Sequence, residues 1–128
     1  MMKKVYYSEK APKPVDPYSQ AIQVGNFLFV SGQIGIDPET NQLVKGNAGE
    51  ETKQIFKNIA HILDAADLNL TSVVKVGLYM TDIGDTSLVN EIYEMNFKMP
   101  YPARTTFGVS SLPLGAKVKI DVIAHYES

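Results

Sequence analysis

The chain has 128 residues, 45% of them hydrophobic, with 12 basic and 14 acidic side chains and a net charge of −2. This length suits one globular domain spanning residues 1–128, and the charge balance leaves no basic surplus for holding nucleic acid through its phosphates. With no cysteine and only two histidines, the sequence excludes disulfide frameworks, thiolate metal sites and cysteine nucleophiles, and it argues against a zinc site.

Prolines and a hairpin signal organise the first third of the chain. Three prolines in residues 11–17 each fix φ and bias the preceding residue towards extended structure, so this segment is predicted to be a loop. Extended runs at 21–24 and 27–31 are separated by Gly25-Asn26, a pair that is typical of a β-hairpin turn. Residues 35–46 are predicted to be turn and loop.

Two segments have the apolar spacing of amphipathic helices, namely residues 48–66 and 85–97. Asn47, with Glu50 three positions later, is predicted to cap the first helix. The apolar stripe of the first helix consists of Ile55, Ile59, Ile62, Leu63 and Ala66. The stripe of the second consists of Leu88, Ile92 and Met95.

Three further strands are predicted at residues 73–81, 105–109 and 117–125. The order is then β-β-α-β-α-β-β, which indicates an α+β fold in which two helices cover one face of a single mixed sheet. The apolar positions alternating in the first of these strands are Val74, Val76, Leu78 and Met80.

The opposite face of that sheet is predicted to mix charged and apolar side chains. Such a face either meets solvent or packs against other copies of the chain with its polar groups paired. We favour an oligomer. The residues concerned are Lys75, Tyr79, Lys119, Asp121 and Ile123.

Arg104 is the first candidate for a functional side chain. It directly follows the proline turn 99–102 and directly precedes a strand, so its backbone is held rigidly. The planar guanidinium group suits bidentate binding of a carboxylate. The alternative is an ordinary salt bridge at the start of a strand.

Three other positions have both a functional and a structural interpretation. Gly32, between Ser31 and Gln33 at a strand end, either lets a ligand approach the backbone or permits a bend. Tyr18 either donates a phenolic hydrogen bond or caps the core. Asn90 lies within a helix, where asparagine is a mediocre helix former, so we expect its side chain to have a partner.

Several separated motifs together resemble the RidA/YjgF family, also called L-PSP or reactive-intermediate imine deaminases. The resemblance covers nearly the whole chain. The motifs are residues 102–107 (PARTTF), 112–118 (LPLGAKV), 11–12 (AP), 17–21 (PYSQA), 29–34 (FVSGQI), 74–75 (VK) and Val89, Asn90 and Tyr93.

This resemblance implies a chorismate-mutase-like homotrimer whose sheets form a central barrel, with sites in the clefts between subunits. It implies hydrolysis of 2-imino or enamine acids, such as 2-aminoacrylate and 2-iminobutyrate, to the 2-oxo acid and ammonia. Neither a metal nor an organic cofactor is implied.

The same resemblance implies roles for individual residues. Arg104 is implied to bind the substrate carboxylate, and the main chain at Gly32 and Thr106 to contact the substrate. At the position of a glutamate in active members of the family, this sequence has Lys119, which we expect to add positive charge near Arg104. The side chains implied to line the pocket are Tyr18, Ser31 and Asn90.

Two alternative functions remain open at this stage. One is a carboxylate-binding or sensor protein that kept the cleft and lost hydrolysis with the glutamate. The other is an endoribonuclease or translation inhibitor, which the acidic pI and the lack of a basic aromatic stripe disfavour. With no signal-peptide run and no apolar stretch of ~20 residues, we expect a cytoplasmic protein without a membrane span.

Overall fold

The computed structural model describes residues 2–127, and in that range six strands form one mixed sheet. The sheet order is β1-β2-β3-β8-β6-β7, in which β6 and β7 run parallel and every other pair is antiparallel. The strands of the sheet are β1 (Lys4–Tyr6), β2 (Ala21–Val24), β3 (Phe27–Gln33), β6 (Val73–Met80), β7 (Ala103–Gly108) and β8 (Val118–His125). A separate hairpin consists of β4 (Ile36–Asp37) and β5 (Gln42–Leu43).

Both predicted helices are present, as α1 (Ala48–Ala65) and α2 (Thr86–Asn96). The predicted stripe of α2 was wrong at Leu88 and Met95, which are 36% and 71% exposed, because the helix buries a face rotated by one residue. The Asn47 side chain accepts a hydrogen bond from the Glu50 backbone N–H at 3.1 Å, which confirms the predicted N-cap of α1. Neither helix in the described range is long and apolar enough to cross a membrane.

The helices cover one face of the sheet, as the α+β prediction requires. The apolar stripe of α1 is buried against the two central strands, β3 and β8. Burying each side chain of this size stabilises the fold by about 1.5–3 kcal/mol. The sheet residues in this layer that are no more than 2% exposed include Val76, Leu78, Met80, Val118, Ile120 and Val122.

Strand β6 departs from the predicted alternation at its first residues. Val74, predicted to be on the buried face, is 44% exposed, whereas Val73 is 6% exposed. The pairing of β6 with β8 shifts register between Val73 and Lys75. A bulge of this kind inserts one residue, which moves the preceding side chain to the other face. The prediction for Val74 was therefore wrong.

Three short strands were not predicted. Strand β1 pairs with β2 at the sheet edge and is largely exposed, so it lacks the buried alternation that identifies a strand. Strands β4 and β5 lie within residues 35–46, which were predicted to be loop. The strand predicted at 105–109 begins at Ala103, because its pairing with β6 extends back to Lys75.

The face opposite the helices has the predicted mixture of side chains. The Tyr79 hydroxyl donates a hydrogen bond to Asp121 Oδ2 at 2.9 Å, and the Tyr79 ring stacks on Phe107 with centroids 5.0 Å apart. Burial, together with the hydrogen bond to Asp121, raises the pKa of Tyr79. Phe27, Phe29 and Phe107 are each 43–45% exposed. An open face with large aromatic groups and paired polar groups is typical of an interface.

Candidate active site

Arg104, the only arginine of the chain, is held by three neighbours. Its Nη1 donates a hydrogen bond to Asn90 Oδ1 at 2.8 Å, and its Nε donates one to Thr106 Oγ1 at 3.1 Å. Its guanidinium carbon lies 4.8 Å from the ring centroid of Tyr93, within the range of a cation–π contact. The side chain therefore lies on the helix-covered side of β7 and is fixed by α2.

No aspartate or glutamate of residues 2–127 forms an ion pair with Arg104. A guanidinium group has five N–H donors, and the contacts with Asn90 and Thr106 use two of them. The structural salt bridge left open as an alternative by the sequence is therefore absent from this range. Donors remain for an anionic ligand.

Tyr93 provides the surface on which the guanidinium rests. Its side chain is 5% exposed and packs against Phe56 and Phe97, with ring centroids 6.0 and 4.7 Å away. Burial raises the pKa of Tyr93, and the neighbouring Arg104 cation offsets part of that rise. In the sequence, Tyr93 stands out only as part of a motif. Tyr93 follows Asn90 by three residues in a helix, so both lie on one face. That spacing could have predicted Tyr93 as a residue of the same site.

A shallow cleft of about 280 Å³ opens beside Arg104. Its walls come from α2 and from the proline turn that precedes β7. A small acid is the size of ligand that fits there, with its carboxylate against the guanidinium. The lining residues are Asn90, Tyr93, Glu94, Tyr101, Pro102 and Arg104.

The other candidate residues line a second cleft, of about 470 Å³. Tyr18 is 48% exposed there and its phenol is accessible. The Ser31 hydroxyl donates to the Ser19 carbonyl at 2.6 Å, so it orients the loop as well as lining the cleft. The side chains and backbone that reach this cleft include Tyr18, Ser31, Gly32 and Lys119.

The space above Gly32 is taken by a side chain of the same chain. A Cβ atom added at Gly32 would overlap Cε of Lys119 and lie 3.3 Å from its Cγ and Cδ. Glycine at this position therefore makes room for the lysine methylenes. The interpretation of Gly32 as a place where a ligand approaches the backbone holds only if Lys119 shares the cleft with that ligand.

The predicted site is thus divided into two groups within one chain. Arg104, Asn90 and Thr106 meet on the helix-covered side of edge strand β7. Gly32 and Lys119 lie on the open face, on β3 and β8. Three strand spacings of ~4.8 Å separate β3 from β7, roughly 14 Å. One small acid cannot contact both groups in a single subunit, and Lys119 is not beside Arg104 there.

Comparison with known proteins identifies the family. The sequence profile described as Endoribonuclease L-PSP matches residues 8–126. The chain belongs to the RidA/YjgF family. The resemblance found in the separated motifs is thereby confirmed.

Relatives in this family match along nearly the whole chain. A RutC family protein of Pyrococcus abyssi is 49% identical, over 99% of this chain and 100% of that protein. The human 2-iminobutanoate/2-iminopropanoate deaminase is 44% identical, over 97% of this chain and 90% of that protein. The crystal structure of RidA from the Antarctic bacterium Psychrobacter sp. PAMC 21119 superposes with a TM-score of 0.93 at 41% identity, covering 96% of this chain and 99% of that one.

Proposed function

We propose that this protein hydrolyses reactive 2-imino and enamine acids, such as 2-aminoacrylate and 2-iminobutyrate, to the corresponding 2-oxo acids and ammonia. One observation carries the proposal. The guanidinium group of Arg104 is immobilised by Asn90, Thr106 and Tyr93, yet it has no carboxylate partner within residues 2–127. Relatives at about 44% identity that are named imine deaminases support it.

The chemistry needs little beyond positioning. An enamine first takes a proton on C3 and becomes the protonated imine. Water then adds to C2 of the protonated imine, forming a C–O bond while the π electrons move to nitrogen. One proton passes from the added oxygen to nitrogen, the C–N bond breaks, and ammonia leaves as the C=O bond forms. The second proton of the added oxygen passes to solvent, which returns the proton that formed the protonated imine. Each step is a proton transfer, an addition or an elimination, so the proposal requires no metal or organic cofactor.

In this scheme Arg104 binds the carboxylate and so fixes C2 relative to the attacking water. Bringing the reacting atoms to ~3–3.5 Å in the right orientation removes much of the entropic barrier. Asn90 and Thr106 act as positioning residues because they hold the guanidinium and not the substrate. A residue that orients the water would supply a further factor of ~10²–10⁴.

The proposal includes a homotrimer whose sheets form a barrel, with each site built by two subunits. The separation of the two residue groups within one chain supports it, since only a second copy can bring Tyr18 and Gly32 to Arg104. The exposed aromatic side chains of the open sheet face support it as well. Light scattering that gives the mass of a monomer at assay concentration would contradict this part.

The test is release of 2-oxobutyrate while 2-iminobutyrate is generated in situ by an amino-acid oxidase. We expect the wild-type protein to accelerate release and Arg104→Ala to lose the effect. Lys53→Ala is the control, because it also removes one positive charge but from an exposed position on α1. Equal acceleration by Arg104→Ala and wild type would refute the assignment.

A second candidate function is carboxylate binding without turnover. The lysine at position 119, where active members have glutamate, favours it, as does the packing of that lysine over Gly32. Calorimetry with 2-oxobutyrate distinguishes the two functions. Binding that Arg104→Ala abolishes, together with no acceleration of imine hydrolysis, would establish the sensor and exclude the enzyme.

A further inference from the structure

The most unusual side chain of the second cleft is Lys119. It lies on the open face of β8, directly opposite Tyr79 of β6, and is half-buried. Its methylenes run along the backbone at Gly32, with Cγ and Cδ 3.3 Å from the position that a Cβ there would occupy. This packing restrains the methylenes of the side chain, and Lys119 lines the cleft.

The charge of Lys119 is uncompensated in the described range. No ion pair within residues 2–127 involves it. Asp121, two residues along the same strand face, accepts the hydrogen bond of the Tyr79 hydroxyl at 2.9 Å and does not line the cleft. The other charged groups of the cleft are the exposed Lys13 and Asp16, whose opposite charges cancel in the sum. The cleft therefore has a net positive charge.

We propose that Lys119 is a specificity-determining residue that binds a second, distal carboxylate, so that the preferred substrates are 2-imino dicarboxylic acids. This inference rests on the proposed function, because Arg104 of a neighbouring subunit is taken to hold the α-carboxylate. A charge-assisted hydrogen bond is about twice as strong as a neutral one, and a carboxylate in the cleft would gain it. The exposed phenol of Tyr18 offers a second donor on the same cleft.

A simple aliphatic imino acid gains nothing from this arrangement. Its terminal methyl group would lie against a cation and would displace water from it without replacing the lost hydrogen bonds, which is unfavourable. Lys119 therefore favours dicarboxylic substrates by attracting their second carboxylate. It disfavours aliphatic substrates because binding them removes water from the ammonium group. The cleft of about 470 Å³ has room for a five-carbon diacid.

The decisive measurement compares two 2-oxo acids of equal chain length, 2-oxoglutarate and 2-oxopentanoate, by calorimetry. We expect wild-type protein to bind 2-oxoglutarate about tenfold more tightly and Lys119→Met to bind the two equally. Lys75→Met is the matched control. It is the same substitution on the same sheet face, at a lysine that donates to Thr105 Oγ1 and does not line the cleft. It should keep the preference.

Equal affinities in wild type, no detectable binding of 2-oxoglutarate, or an unchanged preference in Lys119→Met would each overturn the inference. A turnover assay separates its failure from that of the proposed function. If 2-iminobutyrate and 2-iminoglutarate are hydrolysed no faster than in buffer while the Lys119-dependent binding preference persists, the enzyme proposal fails and the subsite stands. If both imines are hydrolysed and Lys119→Met leaves the ratio of their kcat/KM values unchanged, the subsite fails and the enzyme stands.

Discussion

The guanidinium carbon of Arg104 lies 4.8 Å from the ring centroid of Tyr93, and this contact joins edge strand β7 to helix α2. Tyr93 is itself locked between Phe56 and Phe97. The cation therefore rests on a rigid part of the core although it faces an open cleft. A preset cation loses little conformational entropy when it binds an anion.

Arg104→Lys should lose almost as much catalytic activity as Arg104→Ala. Lysine keeps the positive charge, but it loses the planar fork and cannot donate to Asn90 and Thr106 at the same time while resting on the Tyr93 ring. We expect kcat/KM for 2-iminobutyrate to fall at least tenfold. Steady-state kinetics at fixed protomer concentration check this, and wild-type activity in Arg104→Lys would show that charge alone is sufficient.

Substitution of Asn90 should separate orientation from charge. Asn90→Ala removes the acceptor at 2.8 Å from Arg104, so KM should rise several-fold with little change in kcat. Asn90→Asp should raise KM further, because its carboxylate would pair with Arg104 and compete with the substrate. Calorimetry with 2-oxobutyrate gives the order of affinities directly. If Asn90→Asp binds as tightly as wild type, Arg104 is not the carboxylate ligand.

Lys119→Glu should raise kcat/KM for the monocarboxylic 2-iminobutyrate by about tenfold. A carboxylate at this position can accept a hydrogen bond from the attacking water, which an ammonium group cannot do. Lys119→Gln, which has a neutral acceptor, is the control and should give a smaller gain. The same oxidase-coupled assay measures all three proteins. No gain in Lys119→Glu would mean that the residue at this position does not limit hydrolysis.

Glu51 should be important for stability. Its side chain is 1% exposed, and its Oε1 accepts hydrogen bonds from the backbone N–H groups of Lys117 at 2.7 Å and Val118 at 3.4 Å. Glu51→Ala leaves both donors without that acceptor, so we expect the free energy of unfolding to fall by about 3 kcal/mol. Glu51→Gln keeps an acceptor, so its loss in free energy of unfolding should be smaller. Urea denaturation at one protomer concentration measures the free energy of unfolding of both variants. Equal losses in Glu51→Ala and Glu51→Gln would contradict the prediction.

The stability of the protein should decline above pH 10, in part because of Tyr126. Burial, with smaller contributions from Tyr6 and Asp67, raises the pKa of Tyr126 from 10.0 to about 12. Between these values the unfolded chain releases the phenolic proton and the folded chain keeps it, so rising pH favours unfolding. Below pH 10 both states hold the proton and this contribution to the pH dependence vanishes.

Tyr126→Phe isolates this effect. The variant loses the hydrogen bond to the Ala66 carbonyl at 2.7 Å, so it should be about 1 kcal/mol less stable than wild type at neutral pH. The difference in free energy of unfolding between the two proteins should then narrow from pH 10 to pH 12. Urea denaturation across this range measures it, and a constant difference would show that Tyr126 titrates normally.

The elements that the sequence predicted well are those with a strong local pattern. The stripe of α1 and the alternation in β8 repeat at the period of their own backbone, and the Asn47 cap is a contact between neighbours in sequence. Strand β1 and the β4–β5 hairpin lack such a repeat, because they are short and largely exposed. The bulge at Val74 arises from pairing with a strand more than 40 residues away, which local periodicity does not report.

The sequence by itself determined the two-helix, mixed-sheet architecture and selected Arg104, since periodicity, proline turns and motifs are local properties of the chain. Only the tertiary structure decided what surrounds those residues. It stacked Arg104 on Tyr93, laid Lys119 over Gly32, and put these two pairs on opposite faces of the sheet. Such contacts join residues that are close only after the strands have paired, because strand order and register are set by the packing of the whole sheet and by no single segment.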